Sequence, residues 1–320
     1  MVKLISALAA ALVSAAALTP LTAFAASDTG EAVPRAQYAN REILPDPTAA
    51  ACSSTPRTLT QVSGNVYRHT NTALPALHSG LVLITNEGAL VIDPALTCTA
   101  TWLRDEIKSR FGVGIKYVVY THAHFDHIAG SQVLQQDGAI VVAQRNALEA
   151  IVGERLPVAV PDKVFDRKMT ITLGGETVEL HHVAPSHSNS MTLVYFPKEK
   201  ALQCTDICEA KTLPYMDFLD FYYDGWIESL DWVLKQDVQY IDVGHYELSN
   251  KDDQRALREY MTSLHDQVLA LIRKGESWDQ VWRHVTFKDE YKAWFGYAFM
   301  RVPNIEGMYR WVSNRRRGVW

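Results

Sequence analysis

The sequence predicts a mixed α/β fold with a helical C-terminal extension, and three observations carry that reading. From about residue 60 to residue 245, short apolar strand-like runs alternate with stretches of helical spacing. After residue 250 the strand pattern stops, and apolar residues recur only at helical spacing. The strand-like run Ile115–Tyr120 also leads straight into six positions, 122 to 127, that hold three histidines and an aspartate.

The first 25 residues are of another kind. Lys3 supplies one positive charge, Leu4 to Leu18 is almost wholly small and apolar, and Ala23-Phe24-Ala25 gives an A-x-A cleavage pattern. This reads as a secretory signal peptide. The rival reading, a membrane anchor, needs a longer apolar run than one that ends at Pro20. Residues 26–57, rich in Ala, Pro and Thr, read as an extended arm. Residues 58–250 then read as the main domain and 251–320 as a helical extension. Export places the chain in the bacterial periplasm, with no membrane attachment after cleavage.

Within the domain, Asn65-Val-Tyr-Arg-His, Gly80–Thr85 and Gly88–Asp93 read as strands, with Asn86-Glu-Gly as the turn between the last two. Trp102, Leu103, Ile107 and Phe111 have helical spacing, stopped by Gly112. Ile128–Gln136 suits a helix, Ala139–Ala143 a strand and Asn146–Glu154 a helix. Met169–Leu173, Thr177–Val183, Met191–Phe196 and Ala201–Cys204 read as strands, Trp226–Leu234 as a helix and Tyr240–Val243 as a strand. Leu257, Tyr260, Met261, Leu264, Val268 and Leu271 share one face of a long helix ended by Gly275. Ser277 is placed to cap a further helix carrying Trp282. No internal repeat stands out.

The balance of 31 Lys+Arg against 36 Asp+Glu is mildly acidic, and no basic stripe marks a nucleic-acid footprint. A small-molecule substrate is therefore expected, not nucleic acid. The four cysteines, Cys52, Cys98, Cys204 and Cys208, permit two disulfides. Cys52–Cys98 would tie the arm to the core. Cys204 and Cys208 either pair or stay as two small buried thiols.

His122 and His124, two apart in an extended segment, point the same way. Asp126 and His127 follow before the next helix. Neutral imidazoles and carboxylates are what zinc accepts, at roughly 2.0–2.2 Å. One histidine in a polar loop needs no metal. Crowded imidazoles that would repel one another do need a reason.

The segment "THAHFDH", Thr121 to His127, resembles the signature of the metallo-β-lactamase superfamily. Three further segments match in order. "VAPSHSNSMTLVYFP" carries His187, "ALQCTD" ends in Asp206, and "YIDVGHYE" carries His245. The resemblance implies a four-layer αββα sandwich with the metal site at one edge. It implies that His122, His124 and His187 hold one Zn2+, that Asp126, His127 and His245 hold a second, and that Asp206 bridges them. Two such ions, about 3.5–4 Å apart, clamp a hydroxide that attacks a carbonyl, with Asp126 orienting it and moving a proton. Iron or manganese suits the same donors. Asp93 either fixes the tautomer of a ligating histidine or is a strand-end turn residue before Pro94. His181 and His182 read as structural, and His69, His78, His265 and His284 lack metal-like spacing.

The departures bear on substrate. Thr205 stands where the family usually has Gly, and the segment after His187 lacks a common Gly. One zinc β-lactamase subclass has Cys at the Asp206 position and, three residues on, a Lys that meets the antibiotic's carboxylate. This chain has Asp206 and Glu209 there, and Lys211 is two residues too far. The full His/Asp set resembles thioesterases of the glyoxalase II type and lactonases. The resemblance thus implies a zinc hydrolase of ester, thioester, lactone or lactam bonds. A β-lactamase is one alternative, and an iron-dependent dioxygenase another. Residues 224–234 and the helical tail also resemble exported members of the superfamily. The aromatics Phe218, Phe221, Tyr222, Tyr223 and Trp226 face either the cleft or the core, and loop 153–165 is a second candidate wall.

Overall fold

The computed structural model describes residues 29–45, 56–72 and 77–316. The leader and Cys52 lie outside the described residues. Among those residues no helix is long and apolar enough to cross a membrane.

The first sheet holds β1 (Glu31–Ala32), β2 (Arg57–Ser63), β3 (Val66–Asn71), β4 (His78–Thr85), β5 (Gly88–Ile92), β6 (Ile115–Val119), β7 (Ile140–Gln144) and β8 (Lys163–Phe165). Their spatial order is β1-β8-β7-β6-β5-β4-β3-β2. The second sheet holds β9 (Lys168–Leu173), β10 (Glu176–His181), β11 (Leu193–Phe196), β12 (Ala201–Gln203) and β13 (Tyr240–Asp242), in the order β13-β12-β11-β10-β9. The helices are α1 (Thr97–Phe111), α2 (Phe125–Ile128), α3 (Ser131–Gln136), α4 (Arg145–Gly153), α5 (Tyr223–Lys235), α6 (Lys251–Arg273) and α7 (Tyr297–Arg316).

Alternation along the strands sorts these elements into layers. Leu90 and Ile92 of β5 face the second sheet, meeting Ile171, Val178, Leu180 and Val194. Ala89 and Val91 face outward against Leu103 and Ile107 of α1. A strand buried on both faces reads as an unbroken apolar run, which is what "GALVI" is. Ile128, Leu134, Ala147 and Ile151 extend the outer layer over β6 and β7. On the far side, Leu193 and Leu202 of the second sheet share a core with Trp226, Leu230, Leu257, Tyr260 and Met308. The result is the expected αββα sandwich, with α6 and α7 packed into its outermost core. The Asn250 side chain accepts from the N–H groups of Asp252 and Asp253 and caps α6, a contact worth about 1 kcal/mol.

Several local expectations change. The arm is not wholly extended without partners: β1 pairs antiparallel with β8 at the sheet edge, and residues Arg35–Tyr38 form a 3-10 turn. Strands β2 and β8 lack a clean apolar alternation and were not expected. The helix expected over 128–136 is two pieces, α2 and α3. Gly130 N–H donates to Ala95 O at 2.6 Å instead of continuing the helix. A Cβ at Gly130 would lie 2.5 Å from Leu96 O, so only glycine allows this approach. The helix expected after Ser277 is only a 3-10 turn, Val281–Arg283. The Ser277 hydroxyl bonds Asp279 and caps nothing. Cys204 and Cys208 are joined in a disulfide, with Cα atoms 5.5 Å apart. Cys98 is disulfide-bonded as well, and the pairing expected for it involves Cys52, outside the described residues.

Candidate metal centre

Strand β6 ends at Val119, and the chain turns through Thr121–His124 into α2. Asp93, just past the neighbouring β5, anchors that turn. Its Oδ1 accepts the Thr121 N–H at 2.9 Å and its Oδ2 accepts the Thr121 hydroxyl at 2.6 Å. Thr121 Oγ1 has one proton and gives it to Asp93. Its 3.0 Å contact with His122 Nδ1 is therefore an N–H donated by the ring. This sets the tautomer and leaves the His122 Nε2 lone pair facing inward, buried and without a hydrogen-bond partner. Asp93 thus positions a candidate ligand through Thr121. Its Oδ2 lies 3.9 Å from His127 Nδ1, beyond hydrogen-bond reach. Thr205, the departure from the family's Gly, donates its hydroxyl to the same Asp93 oxygen at 3.2 Å.

The fold gathers His122, His124, His187 and Asp206 so that one donor atom from each lies within 4.8 Å of the others. His124 Nε2–H donates to Asp220 Oδ2 at 2.9 Å, which turns its Nδ1 inward to face His187 Nε2 at 3.1 Å. Burial lowers the His187 pKa to about 4, so its lone pair is available. Burial first, then the crowd of imidazoles, lowers that of His122 well below the usual range.

His127, His245 and Asp206 form a second group of the same tightness, and His78, Asp126 and His245 a third. The His245 Nδ1–H donates to Leu77 O at 3.2 Å, leaving Nε2 facing Asp206 Oδ1, also at 3.2 Å. Asp206 is the hub. Its Oδ2 lies 3.4 Å from His122 Nε2, 3.1 Å from His127 Nε2 and 3.5 Å from His187 Nε2. Its backbone takes a left-handed φ of 57°, a strained conformation held by the surrounding contacts. Burial opposes a charge on His127, but Asp126 and Asp206 outweigh it and lift its pKa to about 10.

All seven residues expected at the site come together, and the donor set fits divalent metal ions. Four positions were not anticipated. His78, dismissed on spacing, donates Nε2–H to Asp126 Oδ2 at 3.0 Å. Asp220 orients His124, and Thr121 orients His122. The fourth is Arg68, whose Nε donates to buried Asp242 Oδ1 at 3.0 Å while Ser79 Oγ donates to the same oxygen at 2.7 Å. Arg68 also donates to Tyr246 O, fixing the turn that carries His245. His181 and His182 stand elsewhere, bonded to Glu179 and to Met191 O.

A cavity of about 420 Å³ opens on the cluster. Phe218, Phe221, Trp226, Tyr246 and Met300 form much of its wall. Tyr223 instead packs into the outer core, and loop 153–165 lies elsewhere, its Val158 and Ala159 packed behind the first sheet. Glu209 also faces the cavity, where burial and neighbouring Asp206 push its carboxyl well above the usual range.

Comparison with known proteins agrees with this architecture. The metallo-beta-lactamase superfamily model matches residues 77–245, more than half of the chain, and the chain belongs to that superfamily. It is a metal-dependent hydrolase of that family. The metallo-beta-lactamase type 2 of Elizabethkingia meningoseptica is 25% identical over 191 residues, spanning 57% of this chain and 72% of its own. The Bacillus cereus protein of the same name is 25% identical over 205 residues, spanning 60% and 78%. A UPF0173 metal-dependent hydrolase of Ruegeria sp. (strain TM1040) is 32% identical over 115 residues, 36% of this chain and 48% of its own. Among solved structures, a metallo-beta-lactamase from Pontibacter korlensis superposes with a TM-score of 0.59 at 21% identity, covering 65% of this chain and 99% of that one. FIM-1 from Pseudomonas aeruginosa, in its mono-zinc form, gives 0.58 at 19% identity, covering 65% and 95%. At these identities the structures speak to fold alone.

Proposed function

We propose that the chain is an exported, binuclear zinc-dependent hydrolase acting on an ester, thioester, lactone or lactam carbonyl. The observation that carries this is the position of Asp206, within 3.5 Å of ring nitrogens of His122, His127, His187 and His245. In this reading His122, His124 and His187 hold one ion. Asp126, His127 and His245 hold the other, and Asp206 is shared. Bound divalent ions acidify water toward neutral pH and polarise a carbonyl. The side chains do the rest. Asp126 is the proton carrier: its carboxylate takes the proton of the attacking water and returns it to the leaving group. The His78 N–H on Oδ2 keeps that carboxylate aimed. Export rests on the leader pattern of residues 1–25.

The similarity to proteins named metallo-beta-lactamase type 2 favours a second reading, hydrolysis of β-lactams. Both readings meet one experiment. The purified chain from residue 26 is assayed for bound metal and for hydrolysis of nitrocefin, a p-nitrophenyl ester, an acyl thioester and a lactone, with and without chelator. We expect two zinc equivalents and chelator-sensitive turnover of an ester-type substrate. Fewer than two equivalents in excess zinc, or turnover untouched by chelator, would sink the proposal. Efficient nitrocefin hydrolysis would select the second reading.

A further inference from the structure

The cavity walls carry information that the histidine cluster does not. Among the described residues, none that lines the cavity is Lys or Arg. Two arginines that pack on neighbouring segments are already committed. Arg68 is buried on Asp242, Ser79 and Tyr246 O, and Arg310 Nη1 donates to Asp217 Oδ2 at 2.9 Å. Lys211 is exposed and does not line the cavity. In place of a cation, Glu209 and Asp220 put carboxyl groups in the wall.

Most of the rest of that wall is aliphatic or aromatic, and its rings stand close to the chemistry. Phe218 stacks on Phe221 with centroids 4.5 Å apart, and Phe221 meets Trp226 at 5.6 Å. Trp226 in turn lies edge-on to His187 at 5.9 Å, and its indole N–H is spent on Ile207 O. The surface that a substrate's acyl part meets beside the cluster is therefore apolar, with no donor of positive charge.

We infer that the substrate's acyl part is uncharged and apolar or aromatic, and that the site discriminates against acyl groups bearing a carboxylate. The reason is desolvation. A carboxylate entering this cavity leaves its water behind and finds no cation in the wall to replace it. A phenyl or alkyl group loses nothing and gains contact with an apolar wall to which Tyr215, Met216 and Leu219 offer exposed side chains. The inference rests on the hydrolase reading for its chemistry, but not for its recognition.

A matched pair of esters tests it: p-nitrophenyl hexanoate and the p-nitrophenyl monoester of adipate, which share a leaving group and differ by a terminal carboxylate. With the zinc-loaded protein, kcat/KM for the hexanoate is expected to exceed that for the adipate monoester at least tenfold. Binding of the corresponding anilides, hexananilide and adipic acid monoanilide, read by tryptophan fluorescence, should show the same order without any turnover. Equal or tighter binding of the anionic anilide overturns the inference. If the neutral anilide binds preferentially while neither ester is hydrolysed, recognition stands and the hydrolase reading fails. Glu209→Lys, which sets a cation in the wall, should shift the binding ratio toward the anion by about tenfold. An unchanged ratio in that folded variant would mean the acyl group lies elsewhere, which also overturns the inference.

Discussion

The floor and the wall of the cavity are built on different terms. The floor is the histidine cluster, set at the ends of strands and held by buried hydrogen bonds such as Thr121 to Asp93. Much of the wall is the segment 212–222, which has no regular structure and leaves Tyr215 and Leu219 exposed. It is fixed from outside. Thr212 is bridged to Phe295, and Asn304 Nδ2 donates to Pro214 O at 2.8 Å and to Met216 O at 2.6 Å. The difference separates two jobs. The floor decides which bond can be broken, and the wall decides which molecule is admitted.

Damage to the floor should therefore abolish chemistry. His122→Ala is expected to remove most of one metal equivalent and to lower kcat/KM by about 10³-fold; full stoichiometry with normal turnover would remove His122 from the ligand set. Asp206→Asn should weaken the second ion more than the first, and metal titration showing both equally tight would mean that Asp206 is not shared. Thr121→Val leaves the ligands in place but frees the His122 ring. It should cost roughly ten- to a hundredfold in metal affinity, read by competition with a chromogenic chelator.

Damage to the wall should leave metal untouched. Asn304→Leu removes two hydrogen bonds to the wall and one from the Tyr260 hydroxyl. We expect a loss of about 2 kcal/mol in stability, a changed preference among esters, and unaltered zinc content. Zinc lost in step with selectivity would dissolve the distinction between floor and wall. The smallest effect concerns His69, whose Nε2–H donates to Ile92 O beneath the floor. Burial lowers its pKa to about 4, so the folded state favours the neutral ring. Its contribution is complete above the unfolded pKa near 6.5 and is lost as pH falls toward 4. Between pH 7.5 and 5.5 this costs about 1 kcal/mol. Urea midpoints for His69→Gln, which keeps a donor and does not titrate, should lack that component.

The same division governs what the sequence makes legible. The floor is written locally: His122, His124, Asp126 and His127 lie in one segment, and His187, Asp206 and His245 follow in segments of recognisable pattern. Its supports are less visible. Asp220 reaches His124 from a loop with no pattern, and His78 stands at a strand start with no neighbour to mark it. Gly130 breaks a helix that spacing alone makes continuous, because the approach of Ala95 and Leu96 is a tertiary fact. Whether Phe218, Phe221 and Trp226 face cleft or core depends on where α7 lies, and apolar periodicity is the same in either case.

Gly307 of α7 shows how far that dependence reaches. A side chain there would place its first carbon 2.1 Å from Asp217 O and 2.9 Å from the Phe218 ring. The bare helix backbone is the surface on which the wall rests. Gly307 lies outside residues 77–245, the part of the chain that carries the family pattern. Two proteins can agree throughout that region and still admit different molecules. Part of what decides the diet is thus held in place from beyond the stretch that carries the reaction, and a single methyl group at Gly307 is expected to disturb the wall while sparing the floor.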